Sequence, residues 1–135
     1  MSRVLLDTHA LVWLLADDAR LGRKSGRIAD SALVRGELLV SALTFWEVAA
    51  LVRRRRLKLD GSPAAWRRQV LAMGLVEIAT SGEIAIAADS FRDFPADPID
   101  RFIAASAMIE DALLLTADSA ILRWGGTLDR HDAQR

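Results

Sequence analysis

Short apolar runs alternate along this chain with longer stretches of helical spacing. Val4-Leu5-Leu6 is a strand-length run ending at Asp7, and His9 to Ala16 reads as a helix. Leu21 to Ser31 is expected to form a second helix, weakened by Gly22 and Gly26. Leu38 to Ala42 is the second expected strand, and Thr44 is expected to open a helix reaching about Arg55. Pro63 sits where a helix can begin, and Gly74 closes that helix after Met73. Leu75 to Ala79 is the third strand, and Ser81 can cap a helix running to about Asp89. After a loop containing Pro95, Pro98 opens a helix to about Asp111. Leu113 to Thr116 is the fourth strand, and Asp118 opens a short last helix. No element is assigned beyond Gly126.

Short apolar strands alternating with helices indicate a parallel sheet covered on both faces. Right-handed crossovers then place helices on each side. The expected fold class is α/β, a three-layer α/β/α sandwich around a central parallel sheet, built as one domain over residues 1–135.

Composition narrows the chemistry. The chain has 135 residues, 52% of them hydrophobic and none cysteine. Disorder, a disulfide framework, a thiolate zinc site and cysteine catalysis are excluded. Eighteen basic residues balance eighteen acidic ones, so net charge points to neither nucleic acid nor membrane. No apolar run approaches the roughly 18 residues that span a bilayer. The first residues carry no signal-peptide pattern. The expected setting is the cytoplasm, with no membrane partner.

The informative feature is where the acids fall. Asp7 follows a strand and precedes a helix; Glu47 lies one turn into the helix after the second strand. Asp97 and Asp100 flank Pro98 at a helix start, and Asp118 follows the fourth strand. In a parallel sheet every strand-to-helix turn lies on the carboxyl edge, where open α/β sheets bind ligands. Capping is the plainer explanation of each acid taken singly. Asp7 and Asp118 fit as N-caps, and Thr44-Phe45-Trp46-Glu47 matches a capping box with Glu47 at its third helical position. Taken together the acids repel one another, and neither Asp7 nor Glu47 has a lysine or arginine beside it in sequence. A divalent cation relieves that repulsion, and all-oxygen ligands suit Mg²⁺ or Mn²⁺.

The stretches LLDTHALVWLL at 5–15, VSALTFWEVAAL at 40–51, DPIDRFIAASAM at 97–108 and LLLTADSAIL at 113–122 resemble the PIN domain, in particular the VapC-type toxins of bacterial toxin–antitoxin pairs. The likeness implies three or four acids that hold Mg²⁺ or Mn²⁺ and cleave RNA. By position it assigns catalysis to Asp7, Glu47, Asp100 and Asp118. The metal ligands it implies are Asp7, Asp100, Glu47 and Asp97, with Asp97 as readily a cap as a ligand. It also implies a homodimer and silencing by a cognate VapB-like antitoxin. In the mechanism so implied, Asp7 and Asp100 bind the ion, and a carboxylate such as Glu47 helps to deprotonate a water that cuts the phosphodiester.

Arg53, Arg54, Arg55 and Arg56, with Lys58 close by, form the strongest positive cluster. They are expected to divide between capping the Thr44 helix and holding RNA or an acidic partner segment. Arg101 is a candidate phosphate contact or a local partner for Asp97. Thr8 and Thr116 are placed to donate near the acids, or merely to pack. His9 is more readily structural than a general base, and His131 lies outside the expected site. Trp13, Trp46, Trp66 and Trp124 read as core or interface residues, and the first helix, apolar nearly all round, must be buried on more than one side. Two other functions compete. A phosphatase-like hydrolase with Asp7 as nucleophile usually wants a second aspartate two residues on, where this chain has His9. A non-catalytic PIN-like module, or a nuclease that processes RNA without being a toxin, shares the fold.

Overall fold

β1 (Arg3–Leu6) occupies the middle of a five-stranded sheet in the order β3-β2-β1-β4-β5. Its neighbours are β2 (Leu38–Ser41) and β4 (Ala112–Thr116), and the edges are β3 (Val76–Ile78) and β5 (Arg130–Asp132). Every pairing is parallel; Leu6 stands opposite Val40 on one side and Leu115 on the other. The computed structural model describes residues 2–135. Seven helices connect and cover the strands: α1 (Thr8–Leu15), α2 (Arg23–Val34), α3 (Ala42–Arg53), α4 (Pro63–Ala72), α5 (Gly82–Ser90), α6 (Pro98–Ile109) and α7 (Ser119–Arg123).

The alternation of side chains along each strand divides the core in two. Val4, Leu6, Leu38, Val40 and Leu115 face one way and pack against Leu11 and Trp13 of α1, Ala29 of α2, Val48 of α3 and Val70 of α4. Leu5, Leu39 and Leu114 face the other way, against Ile84 and Ala88 of α5 and Ile103, Ala104 and Ala107 of α6. The fold is the expected three-layer α/β/α sandwich. Its three central strands, β1, β2 and β4, read as apolar runs because both of their faces are buried. The apolar first helix is explained the same way: Ala10, Leu11 and Trp13 are buried, and Val12, Leu14 and Leu15 pack against the same core.

Caps set most element boundaries. Ser62 accepts from the Ala65 N–H with Pro63 in the first turn, and Ser81 accepts from the Ile84 N–H. Gly74, at φ +109°, supplies the left-handed residue that stops α4. Two expectations are corrected. α3 starts at Ala42, not Thr44, because the Ser41 hydroxyl accepts from the Leu43 N–H. Ala42, counted as strand, is the first helical residue. The region beyond Gly126 contributes a fifth strand, which Arg130 braces by donating to the carbonyls of Leu122, Trp124, Gly126 and Leu128. Among the described residues no helix is long and apolar enough to cross a membrane.

Leu5 is fully buried in the central strand. Leu5→Ala is expected to lower the unfolding free energy by about 3 kcal/mol, measured by urea denaturation. A loss below about 1 kcal/mol would contradict this account of the core.

Candidate active site

Strand order reverses at β1: the chain moves outward to β2 and β3, then returns to the other side of β1 as β4. Such a switch point opens a crevice beyond the carboxyl ends of the two strands. Here those ends carry Asp7 and the Thr116–Asp118 turn. A cleft of about 460 Å³ lies at this place and is lined by Asp7, His9, Trp13, Glu47, Asp97, Asp100, Ala117, Asp118 and Gln134. All five acids singled out in the sequence therefore meet at one cleft. A cleft of similar size, about 500 Å³, between the end of α6 and residues 126–130 holds only Asp111 and Asp129, with Arg130 already committed to carbonyls.

Asp7 is held hardest. It caps α1, with Oδ1 accepting from the Thr8 N–H at 2.6 Å and Oδ2 accepting from the Thr116 hydroxyl at 2.7 Å. Its own N–H donates to the Leu115 carbonyl at 2.9 Å, which ties β1 to β4 at the site. The side chain is buried, and burial raises its pKa against the lowering pull of Thr116 and Thr8. Thr8 and Thr116 thus act on the site directly; the Thr8 hydroxyl also meets that of Thr44 at 3.1 Å.

Asp97 and Asp118 are caps that also line the cleft. Asp97 Oδ1 accepts from the Ile99 N–H, and Asp118 Oδ1 accepts from the Ala120 and Ile121 N–H groups. Each leaves its second oxygen without a helix partner. Glu47 is different. With the N-cap at Ser41, it lies well past the third helical position, so the capping box expected from Thr44 does not form. Half-buried in the second turn, Glu47 has its pKa raised first by burial and then by Asp7 and Asp97, with Thr8 opposing. Asp100, in the first turn of α6, is pushed from 3.8 up to about 7, first by burial and then by Asp7, Asp97, Asp118 and Glu47.

Among the lining side chains only His9 opposes the acids, acting against the upward shifts of Asp7 and Glu47. No lysine or arginine lines the cleft, and all five ion pairs among the described residues lie elsewhere. The donor set is all oxygen, suited to a hard dication. Among the described residues no three acids or histidines stand close enough to enclose an ion by themselves. The arrangement fits an ion held by one or two carboxylates with water and substrate oxygens in its remaining positions, the habit of Mg²⁺.

The basic residues are not where the sequence placed them. Arg53, Arg54, Arg55 and Arg56 are exposed at the far end of α3, about 9 Å or more of helix beyond Glu47, and none lines the cleft. α3 starts on the carboxyl edge and carries its C-terminus away from it. Arg101 is corrected outright. Its guanidinium donates to the carbonyls of Pro95, Ala88, Phe91 and Phe94, so it braces the loop leading to Asp97 and is spent as a phosphate contact. His9 is exposed and lines the cleft without turning into the sheet. Gln134 lines the cleft and was not foreseen, because nothing beyond Gly126 had been assigned.

The family model described as the PIN domain matches residues 4–126. Ribonuclease VapC22 of Mycobacterium tuberculosis is 30% identical over 122 residues, covering 87% of this chain and 88% of that protein. Among solved structures, a toxin–antitoxin complex from Klebsiella pneumoniae superposes with a TM-score of 0.63 at 20% identity, over 96% of this chain and 97% of the other. FitAcB from Neisseria gonorrhoeae gives a TM-score of 0.56 at 20% identity, over 87% and 88%. At those identities the structures speak for the fold.

The Asp100 shift has a definite sign. A carboxyl that ionises near 3.8 unfolded and about 7 folded holds its proton more tightly in the native state. Its contribution to stability is full below about pH 4 and is lost as pH rises through about 7. In chelator the thermal midpoint of the wild type is expected to fall over that range relative to Asp100→Asn. Parallel profiles for the two proteins would contradict the assigned repulsion.

Proposed function

The chain belongs to the PIN-domain family, and on that footing we propose that it is a Mg²⁺- or Mn²⁺-dependent endoribonuclease acting as the toxin of a toxin–antitoxin pair. The observation that carries the nuclease reading is the gathering of Asp7, Glu47, Asp97, Asp100 and Asp118 on one cleft with no lysine or arginine among its walls. The toxin role is supported by the relative described as a ribonuclease and by the toxin–antitoxin complex that shares the fold.

Asp7 and Asp100 would hold the ion, with Glu47 and Asp118 completing the site directly or through water, and Asp97 free to join them by its uncapped oxygen. The bound ion supplies charge neutralisation, polarises a phosphate oxygen and acidifies a bound water. The protein's own part is orientation and proton handling. Thr8 and Thr116 fix both oxygens of Asp7, so that carboxylate cannot swing. Asp118 and Asp97 are fixed by the helices they cap. Glu47 caps nothing and is made more basic by burial and by its acidic neighbours. It is the group suited to take the proton of the attacking water at its carboxylate. Water adds to phosphorus, the bond to the leaving ribose oxygen breaks, and that oxygen takes up a proton. Half-burial of Glu47 and Asp100 weakens the screening of these charges by bulk water.

The proposed partners are an RNA strand, an antitoxin chain and a second copy of the protein. Exposed Trp46 and Ile86, at 57% and 77%, supply apolar surface of the kind that protein partners cover.

The wild type is expected to cut single-stranded RNA with Mn²⁺ and to stop when a chelator is added. Asp7→Asn and Asp100→Asn are expected to lower kcat/KM by about 100-fold or more, and Glu47→Gln to lower kcat by about 100-fold with little change in KM. A gel assay of labelled RNA reads all three. Undiminished cleavage by either aspartate variant, or cleavage insensitive to chelator, would remove the mechanism.

A further inference from the structure

A cleft walled by five acids must still receive a polyanion. Beyond any bound ion, something in its wall has to donate to the phosphate oxygens. No lysine or arginine is in the lining: Arg101 is spent on carbonyls, Arg53–Arg56 lie at the far end of α3, and Arg20, stacked over Trp13, is paired with Asp18. The side-chain donors that remain in the lining are His9, the largely buried Trp13 and Gln134.

Gln134 is exposed, yet the backbone that carries it is fixed on both sides. The Ala133 N–H donates to the Thr116 carbonyl at 2.9 Å, and Ala133 is fully buried. The Gln134 N–H donates to Asp132 Oδ1 at 2.9 Å. From the other side, the N-terminus of α2 grips the same segment. The Gly22 N–H donates to the Ala133 carbonyl at 2.8 Å, the Ser25 N–H to the Arg135 carbonyl at 2.9 Å, and the Ser25 hydroxyl to the Asp132 carbonyl at 3.0 Å. A Cβ at position 22 would overlap the backbone of Arg135, which explains a glycine as the cap of α2 without any capping side chain. Thr116, which registers Ala133, is also the residue whose hydroxyl holds Asp7. Gln134 is therefore positioned relative to Asp7 through one shared residue. It lies outside the stretch matched by the family model, which ends at residue 126.

We propose that Gln134 is a substrate-binding residue whose side-chain amide donates to the phosphate or ribose oxygens of an RNA strand in the acidic cleft. The proposal rests on the nuclease reading. An amide suits the place for a chemical reason. It carries two N–H donors, cannot form an ion pair with the surrounding carboxylates, and does not titrate. An arginine there would pair with Asp7 or Asp100 and compete with the cation; the amide contributes affinity and leaves the acids free. A merely structural Gln134 makes a different prediction, because none of the bonds that dock residues 132–135 uses its side chain.

The test uses a fluorescein-labelled single-stranded RNA of about 12 nucleotides with Mn²⁺. Gln134→Ala is expected to raise KM about tenfold with kcat within about twofold, and Gln134→Glu, which adds a carboxylate, to raise KM further. The thermal midpoint of both should stay at the wild-type value. Binding is read independently by anisotropy in the Asp100→Asn background, where cutting is slowed about 100-fold or more; adding Gln134→Ala there should weaken Kd by the same factor. Unchanged KM and unchanged Kd would overturn the assignment. A wild type that cuts no RNA would defeat the nuclease reading instead, and the anisotropy comparison would still decide whether Gln134 contacts the strand.

Discussion

Repulsion among carboxylates that the backbone will not let apart is the constraint on which this molecule turns. A parallel sheet delivers the end of every strand to one edge. β1 and β4 are adjacent, and the helices that follow β2 and β4 begin on that same edge. α6, which runs back to the start of β4, also opens there, so Asp7, Glu47, Asp97, Asp100 and Asp118 line one cleft. The positive ends of α1, α6 and α7 offset part of the cost. Burial first, and the neighbouring acids after it, raise the pKa of Asp7, Glu47 and Asp100, with the acids weighing most at Asp100. In the proposed function a hard dication offsets that charge, and its own positive charge admits an RNA strand to the cleft.

The five acids divide into two kinds. Asp7, Asp97 and Asp118 are each bound to a helix start, which fixes their orientation and takes up one oxygen. Glu47 and Asp100 sit inside the first two turns of their helices and cap nothing, so burial and neighbours act on them fully. Asp97 and Asp118 keep a second oxygen with no helix partner, whereas the second oxygen of Asp7 accepts from the Thr116 hydroxyl.

Much of this was readable from the chain alone. The apolar runs at Val4–Leu6, Leu38–Val40 and Leu113–Thr116 marked the parallel sheet; the turns after the first and last held Asp7 and Asp118, and the helix after the second held Glu47. The start of α3 was misread because Ala42 extends an apolar run, and a short apolar run does not separate strand from helix. That slip made Glu47 look like half of a capping box. β5 was invisible because Arg130-His131-Asp132 is polar; it is held at an edge by backbone pairing with β4 and by the carbonyl contacts of Arg130, not by apolar burial. Gln134 depends on that strand and so was hidden with it. Arg101 looked free because its partners are carbonyls, whose convergence in space leaves no mark in sequence.

The central claim is most directly tested by titrating the Asp100 side-chain carboxyl by ¹³C NMR, first in chelator and then with Mg²⁺. The account predicts an apparent pKa of about 7 without the ion and a clear fall when it is added. A carboxyl that titrates near 4 in chelator and ignores Mg²⁺ would contradict it.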